Sequence, residues 1–137
     1  MINYILVGLG GIFGSCLRYK LGEIISKRTK KTFNLATFII NISGAFLLGV
    51  VYNIKMPDNV YIFIANGFLA SYTTFSTFMY EGFQLFKNNK KVNALVYILG
   101  TIIIGLISFR LGVSIWTEKE ELCIIIPRIM TKPTLRR

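Results

Sequence analysis

Six hydroxyl side chains stand within seven residues near the middle of one long apolar segment: Ser71, Tyr72, Thr73, Thr74, Ser76 and Thr77. Ser and Thr hydroxyls can bond back to helix carbonyls, and so dense a cluster can support a local break in a helix. Phe75 and Phe78 alternate with these hydroxyls, and their spacing puts both rings on one helix face. Phenylalanines at this spacing are ordinarily core residues. Beside hydroxyl donors, however, the positive edges of two rings could also solvate a small dehydrated anion.

A polar side chain, Asn41, lies in the middle of a second apolar segment, with Thr37 and Gly44 at helical spacing. An amide at membrane depth is costly to leave unpaired, and it offers two donors and one acceptor. The residues alone leave two roles open, hydrogen bonding between helices and contact with a ligand or ion. Arg18 presents a similar choice, because a guanidinium near membrane depth either reaches the headgroups or attracts anions into a vestibule.

Long runs without any charged residue indicate what positions these groups. In the 137-residue chain, which is 53% hydrophobic, such runs cover residues 1–17, 32–54, 59–80 and 92–109. A helix crosses the hydrocarbon core with roughly 17–25 mostly apolar residues. The sequence therefore predicts an all-α membrane protein with four transmembrane helices, over about 2–25, 33–53, 60–86 and 92–116.

Polar stretches separate the four predicted spans: basic loops at 26–32 and 87–91, and a turn at 55–59 around Pro57. We expect a transmembrane domain over 1–117 and a polar, basic tail over 118–137 that is mobile or lies at the surface. Basic residues flank the spans on both sides, so positive-inside counting leaves the orientation ambiguous. Four short spans have little interior of their own, and we therefore expect an oligomer, a dimer first of all.

Composition excludes several classes of protein. The net charge of +10 would suggest nucleic acid as the partner of a soluble protein, but here the basic residues stand between apolar spans, near lipid headgroups. The chain has no His, and its two cysteines, Cys16 and Cys123, are too few for a disulfide framework. No nucleophile with an adjacent base is visible. We therefore expect the bilayer as a partner, no nucleic acid and no enzymatic activity.

Three motifs, in order along the chain, resemble the Fluc/CrcB family of fluoride channels. Residues 10–19 are similar to that family's glycine-rich first helix, which ends in an Arg-Tyr pair, here Arg18 and Tyr19. Residues 36–49 resemble its second-helix pattern around a central Asn, and residues 73–78 match the hallmark of its broken third helix. The resemblance covers about residues 4–116 and leaves the tail outside.

The resemblance implies an antiparallel, dual-topology homodimer in the cell membrane, with two fluoride pores along the subunit interface. Such a channel exports cytoplasmic fluoride passively, because fluoride ionised from hydrogen fluoride is trapped inside and the membrane potential drives the anion outward. The absence of an ATP-binding motif agrees with this mechanism. The sequence leaves open whether the chain pairs with itself or with a second, homologous subunit.

The resemblance also implies roles for particular residues. Asn41 would donate to fluoride, Phe75 and Phe78 would offer ring edges, and Ser76 and Thr77 would lie beside the path. A polar track toward the fourth helix would consist of Thr37, Glu81, Tyr97 and Thr101. The vestibule would contain Arg18.

The family holds a structural sodium ion at the centre of the dimer through backbone carbonyls, which correspond here to those of Ala70 and Thr73. The chain departs from the family at this point, because Ala70 and Ser71 stand where glycine is usual. Since carbonyls are the ligands, Ala70 still serves if its backbone adopts the required angles.

A small four-helix, proton-coupled multidrug exporter is the alternative function. That chemistry needs a carboxylate inside the membrane, whereas Glu23 and Glu81 stand at the ends of predicted spans. A non-transporting scaffold would explain the glycines of the first helix but not the cluster of hydroxyls and phenylalanines.

Overall fold

The computed structural model describes residues 1–28 and 35–130, with side chains as far as residue 115, and this part of the chain is helical and contains no strand. The elements in chain order are α1 (Ile2–Arg28), α2 (Leu35–Asn53), α3 (Asp58–Tyr61), a π-helix (Ile62–Leu69), α4 (Ala70–Tyr72), α5 (Phe75–Lys87) and α6 (Lys91–Met130). The π-helix joins α3 to α4, so that residues 58–72 form one continuous helical run.

Among the described residues, two helical segments are long and apolar enough to cross a membrane, Leu35–Asn53 and Lys91–Ile115. Only 28% of the first apolar window and 17% of the second are buried within the single chain. A helix that is apolar all round needs lipid or protein on every side. The predicted all-helical class is confirmed, and most of the apolar surface of these two helices is left for lipid or for another protein.

The helical run ends inside the hydroxyl cluster. Thr73 (φ −74°, ψ 159°) and Thr74 (φ −143°, ψ 116°) are both extended, and α5 begins at the next residue. These two residues interrupt what the hydrophobic pattern predicts as one segment over 60–86.

Glycines allow α1 to lie directly against the π-helix. A Cβ at Gly10 would collide with the carbonyl oxygen of Phe63, and one at Gly14 with that of Phe68. The spacing of these two glycines is that of a GxxxG pair, which is typical of close packing between helices. The contact fixes the helical run, and with it the start of the extended pair, against α1.

Two predicted boundaries differ from the structure. Helix α1 continues to Arg28, into the stretch predicted as the loop 26–32, of which residues 29–32 lie outside the described part. Helix α6 continues to Met130, although we expected the span to end at 116 and the tail to be mobile or surface-lying. The Glu and Lys residues at 118–121, just beyond the span, favour helix, whereas Pro127 further on does not. The division into 1–117 and 118–137 stays a prediction, and residues 131–137 lie outside the description.

Candidate functional site

Asn41 of α2 holds the extended Thr74 through two reciprocal hydrogen bonds. Asn41 Nδ2 donates to the Thr74 carbonyl at 3.1 Å, and the Thr74 backbone N–H donates to Asn41 Oδ1 at 2.9 Å. The side-chain amide thus supplies the partners that the Thr74 backbone lacks outside a helix. The second N–H of Asn41 has no acceptor in the described part of the chain, and Asn41 lines a cavity. The geometry therefore accommodates both roles that the sequence left open, one for each N–H.

The hydroxyl of Thr74 caps the helix that follows. Thr74 Oγ1 accepts from the Thr77 backbone N–H at 3.3 Å and donates to Thr77 Oγ1 at 3.0 Å. Such a cap satisfies one of the orphan donors at a helix N-terminus. The Ser76 hydroxyl lies 3.4 Å from the same oxygen, and the Thr73 hydroxyl donates to the Leu69 carbonyl. The hydroxyl cluster therefore ends one helix and starts the next.

A cavity of about 740 Å³ is bounded by α2, the helical run 58–72, α5 and α6. We call it the Phe cavity. Six of the predicted site residues line it: Asn41, Ala70, Thr73, Phe75, Phe78 and Thr101. The centroids of the Phe75 and Phe78 rings are 6.1 Å apart. Phe78 is 4% exposed, whereas Phe75 is 75% exposed, so Phe75 projects beyond the surface of the single chain.

A second cavity, of about 470 Å³, lies on the other side of Thr74, and we call it the Arg18 cavity. It is lined by four further predicted residues, Arg18, Thr37, Thr77 and Glu81. Thr74 lines both cavities and therefore stands between them. Ser76 is exposed and lines neither.

Glu81 ties three helices together. Its Oε1 accepts from Thr37 Oγ1 at 2.8 Å, and its Oε2 accepts from the Tyr97 hydroxyl at 2.7 Å. Hydrogen bonds to a carboxylate are about twice as strong as those between neutral groups. The Tyr97 side chain is 1% exposed, and its ring centroid lies 5.4 Å from that of Phe78. An unbroken series of rings therefore leads from Phe75 through Phe78 to the tyrosine that binds Glu81.

Thr101 is placed differently from the other members of the predicted polar track. Its hydroxyl donates to the Tyr97 carbonyl at 2.6 Å, one turn back along α6. That hydroxyl hydrogen is therefore engaged within the helix, and the oxygen offers only acceptor capacity to the Phe cavity. The structure brings Thr37, Glu81 and Tyr97 into direct contact and leaves Thr101 one turn away.

The backbone carbonyls at the end of the helical run differ in their partners. Within the described residues the Ala70 carbonyl accepts no hydrogen bond, because the Thr74 N–H that would reach it in a helix donates to Asn41. The Thr73 carbonyl accepts from Arg18 Nη1 at 3.4 Å. Hard cations take oxygen ligands, so Ala70 fits the sodium ion implied by the resemblance. The Thr73 carbonyl already accepts from the positively charged guanidinium of Arg18, and a sodium ion would compete with that group for the same oxygen.

Sequence reasoning missed the central place of Thr74. A threonine just before an apolar helical stretch is a typical N-cap, and that signal was available. Its second role was not, because its partner Asn41 stands 33 residues away on another helix.

Comparison with known proteins agrees with this arrangement of motifs. The family described as "CrcB-like protein, Camphor Resistance (CrcB)" matches residues 5–113. A protein of Clostridium acetobutylicum named "Fluoride-specific ion channel FluC 2" is 59% identical over 111 residues, which cover 81% of this chain and 95% of that relative. A protein of the same name from Bacillus cereus is 40% identical over 115 residues, covering 84% and 98%. "Fluoride-specific ion channel FluC 1" of Carboxydothermus hydrogenoformans is 39% identical over 115 residues, covering 82% and 91%. With most of its length matched both by the family and by these relatives, the chain belongs to the CrcB family.

Proposed function

We propose that this chain is a fluoride-selective ion channel through which cytoplasmic fluoride leaves passively. Its family and the names of its relatives support the substrate. The observation that carries the proposal is the Phe cavity, where an amide N–H of Asn41 that has no acceptor among the described residues lies in one lining with Phe75 and Phe78. These are neutral groups with positive edges, which is what a dehydrated anion needs.

The residues would divide the work of dehydration. The amide N–H of Asn41 and the ring edges of Phe75 and Phe78 replace part of the water shell of fluoride. The path would continue past Thr77 toward Thr37, Glu81 and Tyr97, with Thr101 beside the rings and Ser76 near the start of α5. Selectivity follows from a donor-lined path that is too narrow for chloride. We assign no catalytic residue, because the family is one of channels.

The proposed assembly is an antiparallel, dual-topology homodimer with four spans in each copy, in the cell membrane. Its support is the incompleteness of the single chain. Phe75 is largely exposed, the Phe cavity is bounded by one chain only, and the apolar surfaces of α2 and α6 are mostly unburied. A second copy would cover these surfaces and complete two pores by symmetry. Pairing with a second, homologous subunit would do the same.

We also propose a structural sodium ion at the centre of the assembly, held by the carbonyls of Ala70 and Thr73. When bound, it would supply a fixed positive charge at the carboxyl end of the helical run, where the helix dipole favours cations. The open Ala70 carbonyl supports this placement. The Thr73 carbonyl would be available only when Arg18 turns away from it.

Fluoride efflux from liposomes that contain only this purified chain tests the proposed function, with chloride-loaded liposomes as the control. We expect fast, potential-driven loss of fluoride and retention of chloride. Equal loss of both anions would contradict selectivity. An absence of efflux from liposomes with a monodisperse protein would contradict the homodimer, and co-reconstitution with a homologous subunit would then test the heterodimer.

The multidrug exporter lacks support. The relatives of this chain are named as fluoride channels, and the carboxylate of Glu81 accepts hydrogen bonds from both Thr37 and Tyr97. Both oxygens of this carboxylate are therefore engaged by the protein's own hydroxyls.

A further inference from the structure

Asn66, on the π-helix, carries a second side-chain amide into the lining of the Phe cavity. The Asn66 residue is exposed in the single chain, and its side chain forms no hydrogen bond with any residue that the structure describes. The segment around it is apolar, and an amide left unpaired at membrane depth is costly. The hydrogen-bond partner of the Asn66 amide must therefore be an ion or molecule inside the cavity, or a second protein chain that covers its open side.

The position of Asn66 in the cavity indicates which of these hydrogen-bond partners the amide would bind. Along α2 and α6, residues of increasing number lead away from the Thr37–Glu81–Tyr97 cluster, and along the helical run residues of decreasing number lead away from Thr74. Asn66 therefore lies on the side of the two phenylalanines that is remote from Glu81. Tyr61, five residues further from Thr74 along the run, also lines the cavity on that side, and the other residues there are mostly apolar: Leu48, Ile102, Leu106 and Phe109.

Helix α6 offers no polar side chain at this level of the cavity. Thr101 is followed one turn later by Gly105, which also lines the cavity, and a Cβ at Gly105 would meet nothing within 4 Å. A dehydrated anion that leaves the rings in this direction finds no hydroxyl on α6. The donors that line the cavity on this side are the amide of Asn66 and the hydroxyl of Tyr61, and Asn66 stands nearer to Thr74 along the helical run.

We propose that Asn66 donates its side-chain N–H to fluoride on the side of the phenylalanines remote from Glu81. The inference rests on the proposed channel function and adds a donor to its path. An anion is favoured over a cation because no Asp or Glu lines this cavity in the described part of the chain. An amide also presents two donors against a single acceptor. The path then has donors on both sides of the rings.

Fluoride efflux from liposomes with the Asn66→Ala variant tests the inference. We expect efflux to fall about tenfold, which corresponds to about 1.4 kcal/mol. Asn59→Ala is the matched control, because Asn59 is exposed, belongs to the same helical run and lies outside the cavity lining. Size-exclusion chromatography in detergent should show the same self-association for wild type and both variants.

A second variant separates the proposed role from one in packing. Because the space at Gly105 is open, Gly105→Ser can place a hydroxyl opposite the site of the lost amide. We expect Asn66→Ala with Gly105→Ser to recover most of the efflux, and Asn66→Ala with Gly105→Ala to recover none.

Three results would overturn the inference. Efflux of Asn66→Ala equal to wild type would show that fluoride does not need this amide. A loss of efflux that accompanies a loss of self-association, with no recovery by Gly105→Ser, would show that Asn66 instead bonds the second copy. Failure of the wild-type chain itself to move fluoride would overturn the proposed function, and this inference with it.

Discussion

The Phe cavity and the Arg18 cavity meet at Thr74 and differ in their chemistry. The lining of the Phe cavity contains rings, amides and hydroxyls but no charged side chain. The Arg18 cavity contains a guanidinium and two carboxylates, from Arg18, Glu23 and Glu81. An ion must bind well enough to enter a pore and weakly enough to leave it. In the proposed channel the neutral donors of the Phe cavity would meet both needs, and the charged side chains stay in the Arg18 cavity, where Thr37 and Tyr97 bind Glu81.

The wall between the two cavities is a short piece of backbone. It consists of the extended residues Thr73 and Thr74, and it is held from one side by Asn41 and from the other by Arg18. Each of these side chains therefore has a structural partner as well as a proposed part in conduction. Substitutions that separate these effects give the sharpest tests of the comparison.

The largest effect is expected for Asn41→Asp. A carboxylate cannot donate to the Thr74 carbonyl, and it also places a negative charge in the path of an anion. We expect fluoride efflux to fall by about a hundredfold or more, since each lost 1.4 kcal/mol of stabilisation is a factor of ten. Liposome efflux measures the change, and a thermal melt in detergent shows whether the protein still folds. Wild-type efflux in a folded Asn41→Asp protein would contradict the assignment of Asn41 to the pore.

Phe78→Ile should produce the next largest effect. It keeps an apolar side chain of moderate size at a buried position and removes the positive ring edge. We expect efflux to fall by about tenfold, in keeping with the roughly 1 kcal/mol of a specific aromatic contact. Met79→Ile is a matched control, because Met79 neighbours Phe78 and lies outside the Phe cavity. Equal efflux in the two variants would mean that Phe78 only packs.

Glu81→Gln tests the charged side of the comparison. The amide keeps one acceptor oxygen, so one of the two hydroxyls must accept from the new N–H instead of donating. We expect efflux to fall by about fivefold in Glu81→Gln, which removes the charge from both hydrogen bonds, and by a similar factor in Tyr97→Phe, which removes one of them, since such a bond contributes about 1–2 kcal/mol. A double variant no worse than either single variant would show that the two residues act as one unit. Additive losses would instead mean that each acts independently on fluoride.

The smallest effect is expected for Arg18→Gln. A vestibule charge raises the local concentration of anions, and salt screens it over about 10 Å at 0.1 M. We expect fluoride conductance to fall about twofold at low ionic strength and to match wild type at high ionic strength. Lys20→Gln, two residues further along α1 and outside the cavity lining, should change conductance less. A loss for Arg18→Gln that persists at high salt would show that its bond to the Thr73 carbonyl matters more than its charge.

The sequence predicted well what depends on local pattern. The helical class follows from long apolar runs, and the approach of α1 to the π-helix follows from the spacing of Gly10 and Gly14. The chemistry of the site also follows from residue types, because amide, ring and hydroxyl groups stand out in apolar segments.

The sequence could not predict how those groups are shared between two cavities. That division depends on contacts between distant residues, such as Asn41 with Thr74 and Thr37 with Glu81. Hydropathy also predicted an apolar span that ends near residue 116, and the apolar part of α6 is Lys91–Ile115. It could not predict that the helix continues to Met130, because residues 123–130 contain four isoleucines and Pro127, which do not favour helix.

The π-helix changes which residues of the helical run 58–72 share one face, compared with an α-helix of the same length. At its end the Ala70 N–H bonds to the Ala65 carbonyl, five residues back, so that this turn holds more residues than an α-turn. If residues 62–69 formed α-helix instead, each residue that the wider turns absorb would rotate one side of the run by about 100° relative to the other. Tyr61 and Ala70, which both line the Phe cavity, are nine residues apart and would lie on opposite faces of an α-helix. The wide turn thus determines which residues of this run line the Phe cavity.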